Sequence, residues 1–216
     1  MLTTTEENYI KALLRISAEG EGEAGTNQLA ARLDVRPATV TDMVKKLKEK
    51  SLVDYKRYGK IRLTEKGRSR ATEIVRKHRL WETFLFDKLG FSWDEVHEVA
   101  EQLEHIQSEK LIEQLDKFLG YPKFDPHGDT IPDANGDFQL ETRNSLAESK
   151  VGENYTIIAV RDNSPEFLQY ASRMGLTINS MVNIIEHFNF DGSIAISIEG
   201  KAINISHKVA ENIYIK

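Results

Sequence analysis

The sequence predicts a mainly α chain that ends in a small all-β domain. Three observations carry this reading. Apolar residues recur at three- and four-residue spacing as far as Leu119; a stretch rich in proline, glycine and polar residues follows; and beyond Val151 the texture changes to short runs of isoleucine, valine and tyrosine. The 216 residues are 40% hydrophobic and 29% charged, the composition of a globular protein with room for a sizeable core. No apolar run reaches membrane-spanning length, and Met1-Leu2-Thr3-Thr4-Thr5-Glu6 lacks the basic start and apolar middle of a signal peptide. A cytoplasmic location with no membrane partner is expected. Cysteine is absent, which excludes disulfides and thiolate ligands. Histidine, carboxylate, carbonyl and water remain as metal donors, a set that favours manganese, iron(II) or zinc over softer ions.

Taken in order, Glu6 to Ala18 reads as an amphipathic helix with Tyr9, Ile10, Leu13, Leu14 and Ile16 on its apolar side. Residues 19–25 are a loop by composition. Thr26 is expected to cap a short helix from Asn27 to Leu33. Pro37 suits the first turn of the next helix, which carries Val40, Met43, Val44 and Leu47 inward and Lys45, Lys46, Lys48 and Lys50 outward. Residues 52–56 and 61–64 read as two short strands around Arg57-Tyr58-Gly59-Lys60. Short helix, turn, second helix and basic hairpin form a winged helix-turn-helix pattern, a DNA-binding architecture.

Charge agrees with this placement. Residues 1–77 hold 17 Lys/Arg against 11 Asp/Glu, whereas residues 78–216 hold 12 against 23, so the net charge of -5 averages a basic head and an acidic remainder. On the second helix, Arg36, Ala38, Thr39, Thr41 and Asp42 are candidates for contact with bases or nearby phosphates. Lys45, Lys46, Arg57, Lys60 and Arg62 are candidates for phosphate contacts.

Glu65 to Leu89 reads as a long helix stopped by Gly90. Ser92-Trp93-Asp94-Glu95 fits a capping box opening a further helix from Trp93 to Leu119. Its apolar stripe, Val96, Val99, Leu103 and Ile106, offers a homodimer interface, and a dimer matches a two-fold symmetric operator. Four segments follow: 1–64, the winged helix-turn-helix; 65–122, the helical metal-binding and dimerisation domain; 123–150, a linker; and 151–216, a small barrel of short strands. The strands are expected at 155–160, 181–185, 193–198 and 212–215, with a helix from Glu166 to Met174.

The chemistry gathers behind the reading head. His78-x-x-x-Glu82 stacks one helical turn apart, and His97, Glu101, Glu104 and His105 fall within about 100° of arc on a continuous helix. Glu101 and Glu104 repel unless a cation lies between them, and His105 adds the nitrogen donor that first-row transition metals accept. A divalent-metal constellation is the better reading, against a solvated acidic stripe.

His78-Arg79-Leu80-x-Glu82, Val96-His97-x-x-Ala100 and Glu104-His105 behind a winged helix resemble the diphtheria-toxin-repressor/manganese-transport-regulator family, over nearly the whole chain. The resemblance implies a C-terminal SH3-like (FeoA-type) barrel and a metal-activated repressor of metal-uptake genes that binds double-stranded operator DNA as a homodimer. It implies a primary site from Asn8, His78, Glu101, Glu104 and His105. It also implies an ancillary site from Glu82, His97, Asp125, His127 and Asp162, with Glu166 and Gln169 as weaker candidates. Asn8 stands where manganese sensors of the family usually carry Asp and iron sensors Met. Lys11 replaces the Glu of the short manganese regulators, so their binuclear arrangement is not expected. Glu101 resembles the manganese branch, making Mn2+ the expected ion and Fe2+ the alternative. A winged-helix regulator sensing an organic ligand and a dinuclear metal hydrolase are the other readings. The hydrolase lacks a separate nucleophile or phosphate-cradling loop, and no enzymatic activity is expected.

Overall fold

The computed structural model describes residues 2–19, 22–55, 60–137 and 143–216. They fall into two compact units. The first comprises Met1–His78, Gln102–Glu109 and Pro132–Asp137; the second comprises Arg79–Glu101, Lys110–Ile131 and Phe138–Lys216.

In the first unit, helix α1 (Thr4–Glu19) opens on a reciprocal cap. The Glu6 N–H donates to Thr3 Oγ1 at 3.3 Å, and the Thr3 N–H donates to Glu6 Oε2 at 2.9 Å. The short strand β1 (Ala24–Gly25) leads into α2 (Thr26–Arg32). Thr26 is thus the first helical residue rather than its cap; extended Gly25 holds the cap position, and its N–H donates to Gln28 Oε1 at 3.4 Å. Helix α3 (Pro37–Glu49) starts on proline as expected and turns Val40, Val44 and Leu47 fully inward. Strands β2 (Val53–Tyr55) and β3 (Lys60–Leu63) complete an antiparallel sheet of order β1-β3-β2. Helix α4 (Glu65–Leu89) then begins pressed onto Leu52: a Cβ at Gly67 would lie 1.9 Å from the Leu52 carbonyl oxygen, so only glycine fits there. The core of this unit joins Ile10 and Leu13 of α1 to Leu29, Val44, Leu47, Leu52 and Ile61.

The span expected as one helix from Trp93 to Leu119 is two, α5 (Val96–Leu103) and α6 (Glu109–Phe118), joined by Glu104–Ser108. No proline or glycine marks the break. It falls where Glu104, fully buried, gives its carboxylate to Lys11 and His78 on other helices. Of the expected dimer stripe, Val96 is completely buried, and Val99, Leu103 and Ile106 are half-buried within the protomer. The exposed large apolar side chains of the helical region are Phe86, Leu89, Leu111 and Phe118.

In the second unit, β4 (Asn144–Ser145) and a 3-10 turn at Leu146–Glu148 precede β5 (Asn154–Val160), α7 (Pro165–Arg173), β6 (Met181–His187), β7 (Ile194–Ile198), β8 (Lys201–Ile205), α8 (His207–Glu211) and β9 (Ile213–Ile215). The strands form one antiparallel sheet of order β4-β9-β5-β6-β7-β8. Irregularities between Ile157 and Ala159 and between Ile184 and Glu186 bend it. Among the described residues the edge strands β4 and β8 are not paired with each other, so the expected barrel is an open six-stranded sheet. Its apolar face, with Leu146, Ile157, Ile184, Ile196 and Ile213, packs against Leu168 and Trp93.

Candidate metal centres and nucleic-acid interface

The reading head is arranged by helical periodicity. With Val40, Val44 and Leu47 buried, α3 leaves Arg36, Ala38, Thr39, Asp42, Lys45 and Lys46 exposed. Thr41 is half-buried and donates its hydroxyl to the Pro37 carbonyl at 3.1 Å, while Asp42 pairs with Lys45 at 3.2 Å. Strand β3 alternates as a half-buried strand should: Ile61 and Leu63 point inward, Lys60 and Arg62 outward. Arg57 lies outside the described residues.

In the first unit a polar cluster forms around Glu104, which lies in the turn after α5. Glu104 Oε1 accepts from Lys11 Nζ at 2.5 Å, and Oε2 lies 2.6 Å from His78 Nδ1. His105 is not on the helix face expected for it. It meets Glu7 of α1, Nδ1 to Oε2 at 2.5 Å, and Gln107 Nε2 donates to Glu7 Oε1 at 2.9 Å. Asn8 Oδ1 is buried with no hydrogen-bond partner. The structure therefore brings His78, Glu104 and His105 together with two residues not predicted as site members, Glu7 and Lys11. The sequence marks Lys11 by its departure from the Glu of the short manganese regulators, and Glu7 only by its spacing one turn before Lys11.

The second cluster lies in the second unit and is built differently. Glu82 of α4, Asp125 and His127 are buried, and each offers a ligand atom within 4.8 Å of the others. His127 Nε2 donates to the Trp93 carbonyl at 2.7 Å, which leaves Nδ1 as the nitrogen that takes either a proton or an ion. That Nδ1 faces Glu82 Oε2 at 3.7 Å and has no hydrogen-bond partner. An ion held at about 2.1 Å by each donor leaves donors about 3.0 Å apart at right angles and about 4.2 Å apart when opposed. The 3.7 Å spacing fits that range, whereas contacts of 2.5–2.6 Å around Glu104 are hydrogen-bonding distances with no room between the atoms.

Local folding holds the donors in place. Asp125 Oδ1 accepts from the backbone N–H of His127 and of Asp129, both at 2.9 Å, so one carboxylate oxygen shapes the loop. Arg79 pins the same loop to α4 through Asp125 Oδ2 at 3.5 Å, Asp129 Oδ2 at 3.1 Å and the Thr130 carbonyl. At Gly128, with φ 84°, a Cβ would lie 2.1 Å from the Ile158 carbonyl oxygen; the loop is thus pressed onto β5. Val160 N–H donates to the His127 carbonyl at 3.0 Å. Trp93 stacks on His127 and donates its indole N–H to Ser172 Oγ of α7 at 2.7 Å. His97 reaches Glu82 Oε1 at 3.1 Å and Glu101 Oε1, one turn on, at 3.6 Å.

Burial and neighbouring charges shift both groups. Burial pushes the Asp125 carboxyl up, reinforced by the Glu82 and Asp129 charges, to about 7 despite Arg79 and His127. Burial disfavours the His127 cation, but the Glu82 and Asp125 carboxylates outweigh it and raise the group to about 9. Asp162 Oδ1 accepts from the Ser164 N–H at 2.9 Å, ahead of α7. Gln169 donates to Asp94 Oδ2 at 3.1 Å, and Glu166 is exposed in the first turn of α7.

Three family models match in succession. They are "Iron dependent repressor, N-terminal DNA binding domain" over residues 1–61, "Iron dependent repressor, metal binding and dimerisation domain" over 64–133, and "FeoA domain" over 144–216. The chain is 36% identical over 131 residues to the iron-dependent repressor IdeR of Mycobacterium bovis, a match covering 61% of this chain and 56% of that protein. The chain thus spans little more than half the length of such curated relatives. It is 27% identical to the diphtheria toxin repressor of Corynebacterium diphtheriae, covering 100% of this chain and 98% of that one. A solved manganese-dependent transcriptional repressor in complex with manganese shares 34% identity over 97% of this chain and 98% of its own, with a TM-score of 0.86. The manganese regulator SloR gives 34%, 98%, 97% and 0.77 by the same measures. With every segment from reading head to C-terminal sheet matched in order, the chain belongs to the diphtheria-toxin-repressor/manganese-transport-regulator family of metal-dependent transcriptional repressors.

Proposed function

We propose that this chain is a metal-activated repressor that binds operator DNA as a homodimer, with its regulatory ion held by Glu82, Asp125 and His127 and approached by His97. The observation that carries the reading is the buried Glu82–Asp125–His127 group, whose imidazole has one nitrogen locked to a carbonyl and the other turned toward the Glu82 carboxylate at 3.7 Å. A bound divalent ion would take the place of the proton on His127 and add positive charge to that of Arg79 beside Asp125. The chain's own residues do the rest: Arg79 and Gly128 hold the loop, Trp93 orients the imidazole, and β5 and α7 fix Trp93 and His127.

Oxygen-rich donors with imidazole and no sulfur suit manganese first. Iron(II) is the second reading, favoured by the iron-dependent relatives to which the chain is similar. The exposed Phe86, Leu89, Leu111 and Phe118 suit the dimer contact, since apolar patches of this kind mark interaction surfaces. On DNA, Arg36, Ala38, Thr39 and Asp42 of α3 are read as base-facing, and Lys45, Lys46, Lys60 and Arg62 as phosphate-facing.

Coupling between ion and DNA is reciprocal, and about 1–3 kcal/mol corresponds to about 5–150-fold tighter operator binding. A duplex selected from a random-sequence pool in the presence of manganese tests this. Its anisotropy, titrated with protein under anaerobic conditions against free manganese, iron(II), zinc and magnesium, is expected to report manganese-stimulated binding that a chelator reverses. Binding indifferent to every ion would overturn the reading.

A further inference from the structure

The Glu104 cluster is composed of the family's metal-binding residue types, yet its geometry is that of a completed ion pair. Every carboxylate oxygen there already faces a nitrogen: Glu104 meets Lys11 and His78, and Glu7 meets His105 and Gln107. The Lys11–Glu104 pair is enclosed, with side-chain exposures of 6% and 0%. A lysine ammonium is a compact point charge, and buried beside a carboxylate it performs the charge compensation that an ion otherwise performs. A divalent ion entering this cluster must displace that ammonium or sit against it, like charge to like. Asn8, next to Glu7 in the chain and with a buried unpartnered Oδ1, is a neutral amide and adds no negative charge to offset the repulsion.

We propose that Lys11 is the resident cation of the Glu104 cluster, standing in place of a metal ion, so that the chain carries a single regulatory ion per protomer at the Glu82 cluster. The first part stands on the Lys11–Glu104 geometry alone; the second rests on the function proposed above. The link from α1 to α4 is then built into the sequence, through Lys11, Glu104 and His78, instead of being assembled by an ion.

Manganese bound per protomer, measured by equilibrium dialysis with elemental analysis and by the EPR signal of the bound ion, tests both parts. The wild type is expected to bind one ion, Glu104→Gln still one, and Asp125→Asn none. Replacing the ammonium by a carboxylate should open the cluster. Asp125→Asn combined with Lys11→Glu is therefore expected to regain one ion, with a thermal midpoint that manganese raises and a chelator lowers. Two ions in the wild type, one of them lost in Glu104→Gln, would overturn the proposal; so would a folded Lys11→Glu protein that gains none. Should Lys11→Glu fail to fold by circular dichroism, the Glu104→Gln count still decides, because it needs no second substitution. A wild type with no ion would contradict the Glu82 reading, while an ion gained on Lys11→Glu would still support the role of Lys11.

Discussion

At the scale of single residues, two polar clusters differ in how closely their charges are paired. Around Glu82 the His127 nitrogen stands 3.7 Å from the carboxylate and Arg79 lies 3.5 Å from Asp125; around Glu104 a lysine ammonium closes to 2.5 Å. Glu82→Gln removes a donor without changing shape and should weaken manganese affinity by at least 10-fold, read by calorimetric titration. Wild-type affinity in that variant would remove Glu82 from the site. Glu6 supplies a separate test of stability. Burial would raise its carboxyl, but hydrogen bonds from Lys50 (2.6 and 2.7 Å) and from the Thr3 backbone hold it below its ordinary value near 4.5. Its stabilisation is thus present above pH 4.5 and lost as pH falls through the lowered folded value. Glu6→Gln should cost about 1–2 kcal/mol at pH 7 by urea denaturation, and the gap should shrink below pH 4.5. A gap independent of pH would show that the charge is not what stabilises.

At the scale of elements, periodicity and punctuation made most of the structure legible. Pro37 begins α3, Glu65 and Gly90 bracket α4, and alternation orients Ile61, Arg62 and Leu63 as expected. The break between α5 and α6 was not legible, because Glu104 is held by Lys11 from 93 residues away and no local residue signals the turn. For the same reason the Glu7–His105 contact, 98 residues apart, was invisible to spacing within one helix. Strand β8 was missed because only Ile205 of its five residues is buried, as suits an edge strand. The loop from Asp125 to Thr130 carries its own test. Gly128→Ala forces a Cβ into β5 and a left-handed backbone on an L-residue, so it should destabilise the protein by about 1–3 kcal/mol and weaken manganese binding together. Stability lost with affinity unchanged would separate the loop from the site.

At the scale of the whole molecule, the chain joins a basic reading head to an acidic remainder, and one kind of residue change should separate affinity from regulation. Lys46→Gln, on the exposed side of α3, should lower DNA affinity and reduce the salt slope by about one while leaving the manganese requirement intact. The central claim is that an ion at the Glu82 cluster controls DNA binding. Operator anisotropy, titrated with protein at saturating manganese and in chelator for the wild type and Asp125→Asn, tests it most directly. The wild type should bind about 5–150-fold more tightly with manganese, and Asp125→Asn should bind equally weakly in both conditions. Full manganese stimulation surviving in Asp125→Asn would contradict the account.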